Sequence, residues 1–136
     1  MARDNKKANL IAEPATQNQL GITAIVTTFN EEYNIKRCLD SILWADEVLV
    51  IDSFSTDNTV SICEKMGATV LQRKYKYAAD QKNWAIPKAK NPWIILLDAD
   101  EEASGALQDE IKELLSSKPK QTAYWIRRKN FFLGKY

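Results

Sequence analysis

The sequence predicts an α/β fold, a mostly parallel sheet flanked by helices. Three observations carry this. Short β-branched and aliphatic runs alternate with segments of helical periodicity. The runs are apolar enough to be buried strands. Three of them end in clusters of polar residues, so one edge of the sheet collects chemistry while the rest stays dry.

Residues 1–20, "MARDNKKANLIAEPATQNQL", are polar, lack a period and contain Pro14. They read as a flexible N-terminal extension, with Leu10 and Ile11 as possible tethers. Residues 21–136 form the folded unit. "ITAIVTT" (22–28) is the first strand. Ile35, Cys38, Leu39, Ile42 and Leu43 then mark one face of a helix. "EVLVID" (47–52) is the second strand, and 57–67 is a helix ending at Gly67, a natural residue just past a helix end. "ATVLQR" (68–73) is the third strand, and 78–89 is helical until Pro87 interrupts it. "PWIILLD" (92–98) is the fourth. Leu107, Ile111, Leu114 and Leu115 set a further helix, beginning near Ala103, and "TAYWIRRKNFF" (122–132) reads as a fifth strand.

Composition narrows the chemistry. The 136 residues hold 45% hydrophobic residues, enough for a core, and a net charge of +1 gives no electrostatic reason for nucleic-acid binding. No apolar run approaches a membrane span, and the first residues lack a signal peptide's apolar region. A cytoplasmic protein is therefore expected, with the inner face of the membrane as a possible station. There is no histidine, which excludes Ser-His-Asp and Cys-His catalysis and His-rich zinc sites. Cys38 and Cys63 fall on apolar helix faces and read as core. None of the four glycines builds a phosphate-cradling loop.

The polar edge has four parts. In "WIILLDADEE" a buried strand runs into Asp98 and Asp100, a DxD pair able to share a hard cation, Mg2+ or Mn2+, with phosphate oxygens. Glu101 and Glu102 read instead as acids at the start of the following helix. In "VIDSFSTDNT", Asp52 at a strand end can accept from a ring N–H such as uracil N3, while Ser55 and Asp57 read as turn and N-cap residues. In "IVTTFNEEYNI", Thr27, Thr28 and Phe29 offer backbone groups and an aromatic face to a base; Asn30 reads as an N-cap and Glu31 and Glu32 as a first helical turn. In "AADQKNWAI", Lys82 offers a cation to a base carbonyl or diphosphate. Two basic, aromatic stretches, 72–78 and 124–132, read as solvated charge beside half-buried rings, with an anionic acceptor or a membrane surface as the alternative.

Taken in order, "TTFNEE", "VIDSFSTDNT", "QKN" and "LLDADE" resemble the nucleotide-binding half of the family 2 inverting glycosyltransferases, especially bacterial enzymes of lipopolysaccharide-core assembly. The resemblance spans about 110 residues from Ile22 onward. It implies a GT-A, Rossmann-like architecture, C-terminally incomplete, that binds a nucleoside-diphosphate sugar, with UDP-glucose the best guess. The sugar would pass with inversion to a saccharide or lipid-linked acceptor. By resemblance, Thr27, Thr28, Phe29, Glu31, Asp52, Lys82 and Asp98 bind the nucleotide, Asp98 and Asp100 bind Mg2+ or Mn2+, and Asp100 is the direct ligand. The catalytic base is expected downstream of Tyr136. Self-association through apolar surface near the fifth strand is expected too. The alternative is a nucleotide-sugar-binding module without transfer activity.

Overall fold

A computed structural model of the chain describes residues 20–130. The flexible extension expected for 1–20 thus lies almost wholly outside the described residues. Four strands form one parallel sheet: β1 (Ile22–Thr28), β2 (Glu47–Asp52), β3 (Thr69–Gln72) and β4 (Trp93–Asp98), in spatial order β3-β2-β1-β4. Four helices connect or follow them: α1 (Ile35–Asp40), α2 (Thr59–Lys65), α3 (Ala78–Ala85) and α4 (Gly105–Ser116). Pro87 ends α3 as expected, and the chain tightens into a 3-10 turn over Ile86–Lys88.

Strand residues alternate between two cores. Ala24, Val26, Val50, Ile95 and Leu97 pack on one face with Ile35, Cys38 and Leu39 of α1, Cys63 of α2 and Leu115 of α4. Ile25, Leu49 and Ile51 pack on the other with Ala85 of α3, flanked by Trp84, Ile94 and Leu96. This division follows from handedness. The β1–β2 and β2–β3 connections step one way along the sheet, and the β3–β4 connection steps back across β1. Right-handed crossovers then place α3 on the opposite face from α1 and α2. Both cysteines are fully buried and unpaired, and burial pushes their thiols up to about 12 for Cys38 and about 11 for Cys63, as core residues require.

Helix ends show which local readings held. After α2, Gly67 takes φ +83; its N–H reaches the Glu64 carbonyl at 3.0 Å and that of Ala68 reaches Cys63 at 3.1 Å. This paired closure needs a left-handed residue, and Gly67 is the one without a Cβ to object. Asn30 is not the N-cap of α1: it has φ 51, and α1 starts at Ile35 after Asn34. The final helix starts at Gly105 rather than near Ala103, capped by the Ser104 side chain, which accepts from the Leu107 N–H at 3.2 Å. Its first turn holds no acid, so Glu101 and Glu102 are not helix-start residues.

The fifth strand expected over 122–132 does not form across its described part. Residues 123–130 are exposed and unladdered, and β4 stays at the sheet edge. The run carries Arg127, Arg128 and Lys129 consecutively, so it has no apolar face to lay on a sheet. Side chains hold it instead: the Tyr124 ring sits 5.9 Å from that of Trp93, and Arg128 Nη1 lies 2.9 Å from Glu101 Oε1. Phe131 and Phe132 lie outside the described residues.

Candidate functional site

The strand order reverses at β1, between the β2 side and β4. In an open parallel sheet the crevice at such a reversal, beyond the carboxyl ends of the strands, is where ligands bind. Here it is bounded by Thr27 and Asp98, which are register partners on β1 and β4. The Thr27 hydroxyl donates to Asp98 Oδ1 at 2.9 Å, and Lys82 Nζ, reaching over from α3, lies 3.0 Å from the same oxygen. Three sequence-expected residues from three elements thus meet at one atom. Burial would raise the Asp98 carboxyl, but the Lys82 and Thr27 hydrogen bonds and the charges of Lys82 and Arg128 outweigh it, holding the group below its ordinary range. Asp98 therefore stays ionised while 43% of its side chain faces solvent.

The turn beyond Asp98 is fixed by Glu101. Its N–H donates to the Asp98 carbonyl at 2.9 Å, and its Oε2 accepts from the Asp98 N–H at 2.9 Å. Glu102 pairs with Arg37 at 3.4 Å. Between Asp98 and Glu101, Asp100 is exposed. An anchored and an exposed carboxylate offer a hard cation oxygen donors only, and one or two protein carboxylates completed by water and phosphate suit magnesium or manganese. The donor set fits the metal expected from sequence. Among the described residues no third carboxylate or thiolate joins the pair.

Asp52 ends β2, as expected. It is fully buried, and its carboxylate accepts from the Ser55 N–H at 2.9 Å, from the Ser55 hydroxyl and from Gln72 Nε2 at 3.1 Å. Its oxygens close a turn over Ser53–Ser55. Next to it, Ser53 N–H donates to the Thr28 carbonyl at 2.9 Å, and Gln81 Nε2 lies 3.2 Å from Ser53 Oγ. Thr28 Oγ1 and Gln81 Oε1 are buried without a partner among the described residues, so the polar edge carries acceptor capacity to spare.

The β1–α1 and β2–α2 loops are laced together. Asn30 N–H donates to Ser55 Oγ at 2.8 Å while Asn30 Oδ1 accepts from Thr56 N–H at 2.8 Å. Glu31 N–H donates to Thr59 Oγ1 at 2.8 Å, and Glu32 N–H to Asp57 Oδ2 at 3.1 Å. Glu32 Oε2 accepts from the Asn58 side chain at 2.9 Å, and Glu31 Oε2 accepts from Asn34 at 2.8 Å. Asp57 Oδ1 accepts from the Thr59 N–H at 3.0 Å, but the N-cap position of α2 is Asn58, so Asp57 stands one residue before the cap expected of it. Phe29, 56% exposed, rides on this lattice.

Residues 23–134 match the model of Glycosyl transferase family 2. The chain belongs to that family. A Rickettsia bellii (strain RML369-C) protein described as an uncharacterized glycosyltransferase is 43% identical over 109 residues, covering 78% of this chain and 37% of its own. The lipopolysaccharide core biosynthesis glycosyltransferase LpsC of Rhizobium meliloti (strain 1021) is 26% identical over 121 residues, covering 85% of this chain and 45% of its own. The chain thus spans under half the length of either relative. Among solved structures, the mannosyltransferase PcManGT from Pyrobaculum calidifontis, in complex with GDP-Man and Mn2+, superposes with TM-score 0.62 at 26% identity over 75% of this chain and 33% of that one. Glucosyl-3-phosphoglycerate synthase from Mycobacterium tuberculosis shares the fold at TM-score 0.60 and 22% identity, over 76% of this chain and 43% of that one.

Within this glycosyl transferase family 2 chain, the residues expected from sequence at the polar edge do not include Gln72, Gln81 and Arg128, which contact Asp52, Ser53 and Glu101 there. Gln72 was findable: it is the register partner of Asp52, so aligning "VLVID" with "TVLQ" pairs them. Gln81, fully buried in α3, gave no signal, because "AADQKNWA" carries no apolar period. Arg128 was hidden by the strand reading of its segment.

Proposed function

We propose that this chain is the donor-binding half of an inverting glycosyltransferase, holding a nucleoside-diphosphate sugar, with UDP-glucose first among candidates, at the carboxyl edge of the sheet. The convergence of Thr27 and Lys82 on Asp98 beside exposed Asp100, at the sheet's switch point, carries the reading. Asp100 and Asp98 would hold Mg2+ or Mn2+, whose chemistry is to neutralise charge developing on the departing diphosphate. Lys82 supplies a protein cation on the same side, ready to exchange Asp98 for a phosphate oxygen. The Thr27–Phe29 segment and the loop closed by Asp52 frame the base, and Glu31 braces that frame through Thr59 and Asn34. Asp52 shapes the loop through Ser55 and Gln72 and keeps an acceptor position on Oδ1 for a ring N–H. PcManGT, solved with GDP-Man and Mn2+, supports metal-dependent donor binding.

The acceptor, a saccharide or lipid-linked glycan of the cell envelope, is read from the likeness to LpsC. The likeness to LpsC, an enzyme of lipopolysaccharide core biosynthesis, supports transfer in the cytoplasm at the inner face of the membrane. No helix among the described residues is long and apolar enough to cross a membrane. Tyr124, Trp125 and Ile126, the middle one wholly exposed, form an apolar surface for self-association.

Calorimetric titration of UDP and UDP-glucose with manganese, repeated with EDTA and with Asp100→Asn, tests the donor site. Binding that requires manganese and falls at least tenfold in the variant is the expected result. Metal-independent binding, or none by a folded chain, would sink the reading.

A further inference from the structure

We propose that Phe54 is a stacking surface for the nucleobase, and that the buried Asp52 turn holds its backbone in a left-handed conformation to present it. The inference rests on the donor reading above and adds to it a residue that meets the ring face of the ligand.

Three non-glycine residues among those described have positive φ: Asn30 at 51, Phe54 at 63 and Lys118 at 56. Asparagine tolerates this region, and Lys118 lies just past the end of α4, where helices often close left-handed. Phe54 has neither excuse. A bulky aromatic at positive φ is an outlier that persists only where its surroundings over-determine it. They do so here: Asp52 holds both the N–H and the hydroxyl of Ser55, while Ser53 on the other side donates to the Thr28 carbonyl at 2.9 Å.

The ring gains nothing visible from this strain. Phe54 remains 53% exposed and joins neither core. Glycine or asparagine would close the same turn without strain, so turn chemistry does not select phenylalanine. The second exposed ring, Phe29, belongs to the same frame, because Asn30 bonds both Ser55 and Thr56 at 2.8 Å. Both aromatics thus stand just beyond Thr28 and Asp52, register partners at the ends of β1 and β2. A rigid, strained, solvent-facing ring suits a planar partner. The planar part of a nucleoside diphosphate is its base, whose π-face stacks on aromatics regardless of its hydrogen-bonding edge. Phe54 therefore sets affinity for the base and not its identity.

The test titrates UDP, GDP and inorganic pyrophosphate, each with manganese, into the full chain and into Phe54→Gly, Phe54→Asn and Phe54→Trp. Glycine and asparagine should raise the Kd for UDP and GDP about 5- to 150-fold, the range for loss of one base–aromatic stack. They should leave pyrophosphate binding unchanged and the melting temperature unchanged or higher, since both relieve the strain. Tryptophan should keep UDP affinity. UDP affinity unaltered in the glycine and asparagine variants would overturn the proposal. So would an equal loss for pyrophosphate, or a fall in melting temperature in both, since each marks a purely structural residue. Failure of the unmodified chain to bind UDP would instead remove the donor reading, and this inference with it.

Discussion

Asp98 shows how one atom can decide whether a strand end is a site. Its Oδ1 receives both Thr27 and Lys82, and these outweigh the burial that would otherwise favour the protonated acid. A carboxyl held below its ordinary value binds fewer protons folded than unfolded between those two values. Its stabilising contribution is therefore complete above the unfolded pKa, about 4, and is lost as pH falls through the lower folded value. Lys82→Met removes a hydrogen bond and a charge but leaves the burial, so the folded value rises and the contribution shrinks. The stability gap between the two proteins should be widest near neutral pH and close as pH drops below about 4. Thermal melts of both proteins across that range check it. A gap independent of pH would mean that Lys82 acts through packing of its aliphatic stem. The residues at this atom were legible because each ends a hydrophobic run or sits between two; their partners in space were not, since Lys82 and Asp98 are joined only by the crossover.

At the scale of elements, β1, β2 and β4 could be read almost residue for residue, because aliphatic runs bounded by polar clusters have one economical interpretation. Helix starts were harder. Asn30, Asp57 and Ser104 are all good capping types, and only contacts from elsewhere decide among them. Asn30 is drawn away by Ser55 and Thr56, so α1 starts later, after Asn34, whose side chain makes no cap bond. Ser104 has no such competitor and caps α4, which packs Leu115 and Leu107 onto the core. Ser104→Ala should cost about 1 kcal/mol, visible as a melting point roughly 4 °C lower, with Ser104→Asp restoring it. No change on alanine substitution would mean that α4 is held by its apolar face alone. The failed fifth strand has the same physical root: the apolar run "AYWI" suggests a strand, but the three consecutive cations that follow deny it a buried face.

Across the whole molecule, charge is distributed far less evenly than the net +1 suggests. Residues 72–90 carry six cations against one acid, and that acid, Asp80, is neutralised by Arg73 at 2.8 Å. Arg73 and Lys88 flank the Trp84 ring at 4.9 and 3.8 Å, joining the β3–α3 loop to the far end of α3 in one basic surface. Exposed Tyr75 and Tyr77 alternate with Lys74 and Lys76 on that loop. Amphipathic rings among lysines suit the interface of an anionic bilayer, where each lysine near the surface contributes about 1 kcal/mol. On the function proposed above, resting there would bring the polar edge of the sheet near a lipid-linked acceptor. The chain should co-sediment with phosphatidylcholine vesicles containing phosphatidylglycerol, less so in high salt, and not with phosphatidylcholine alone. Lys74→Glu with Lys76→Glu should weaken that binding roughly 30-fold or more, while the far-UV spectrum stays the same. Equal sedimentation of the unmodified and charge-reversed proteins would return this surface to ordinary solvated charge.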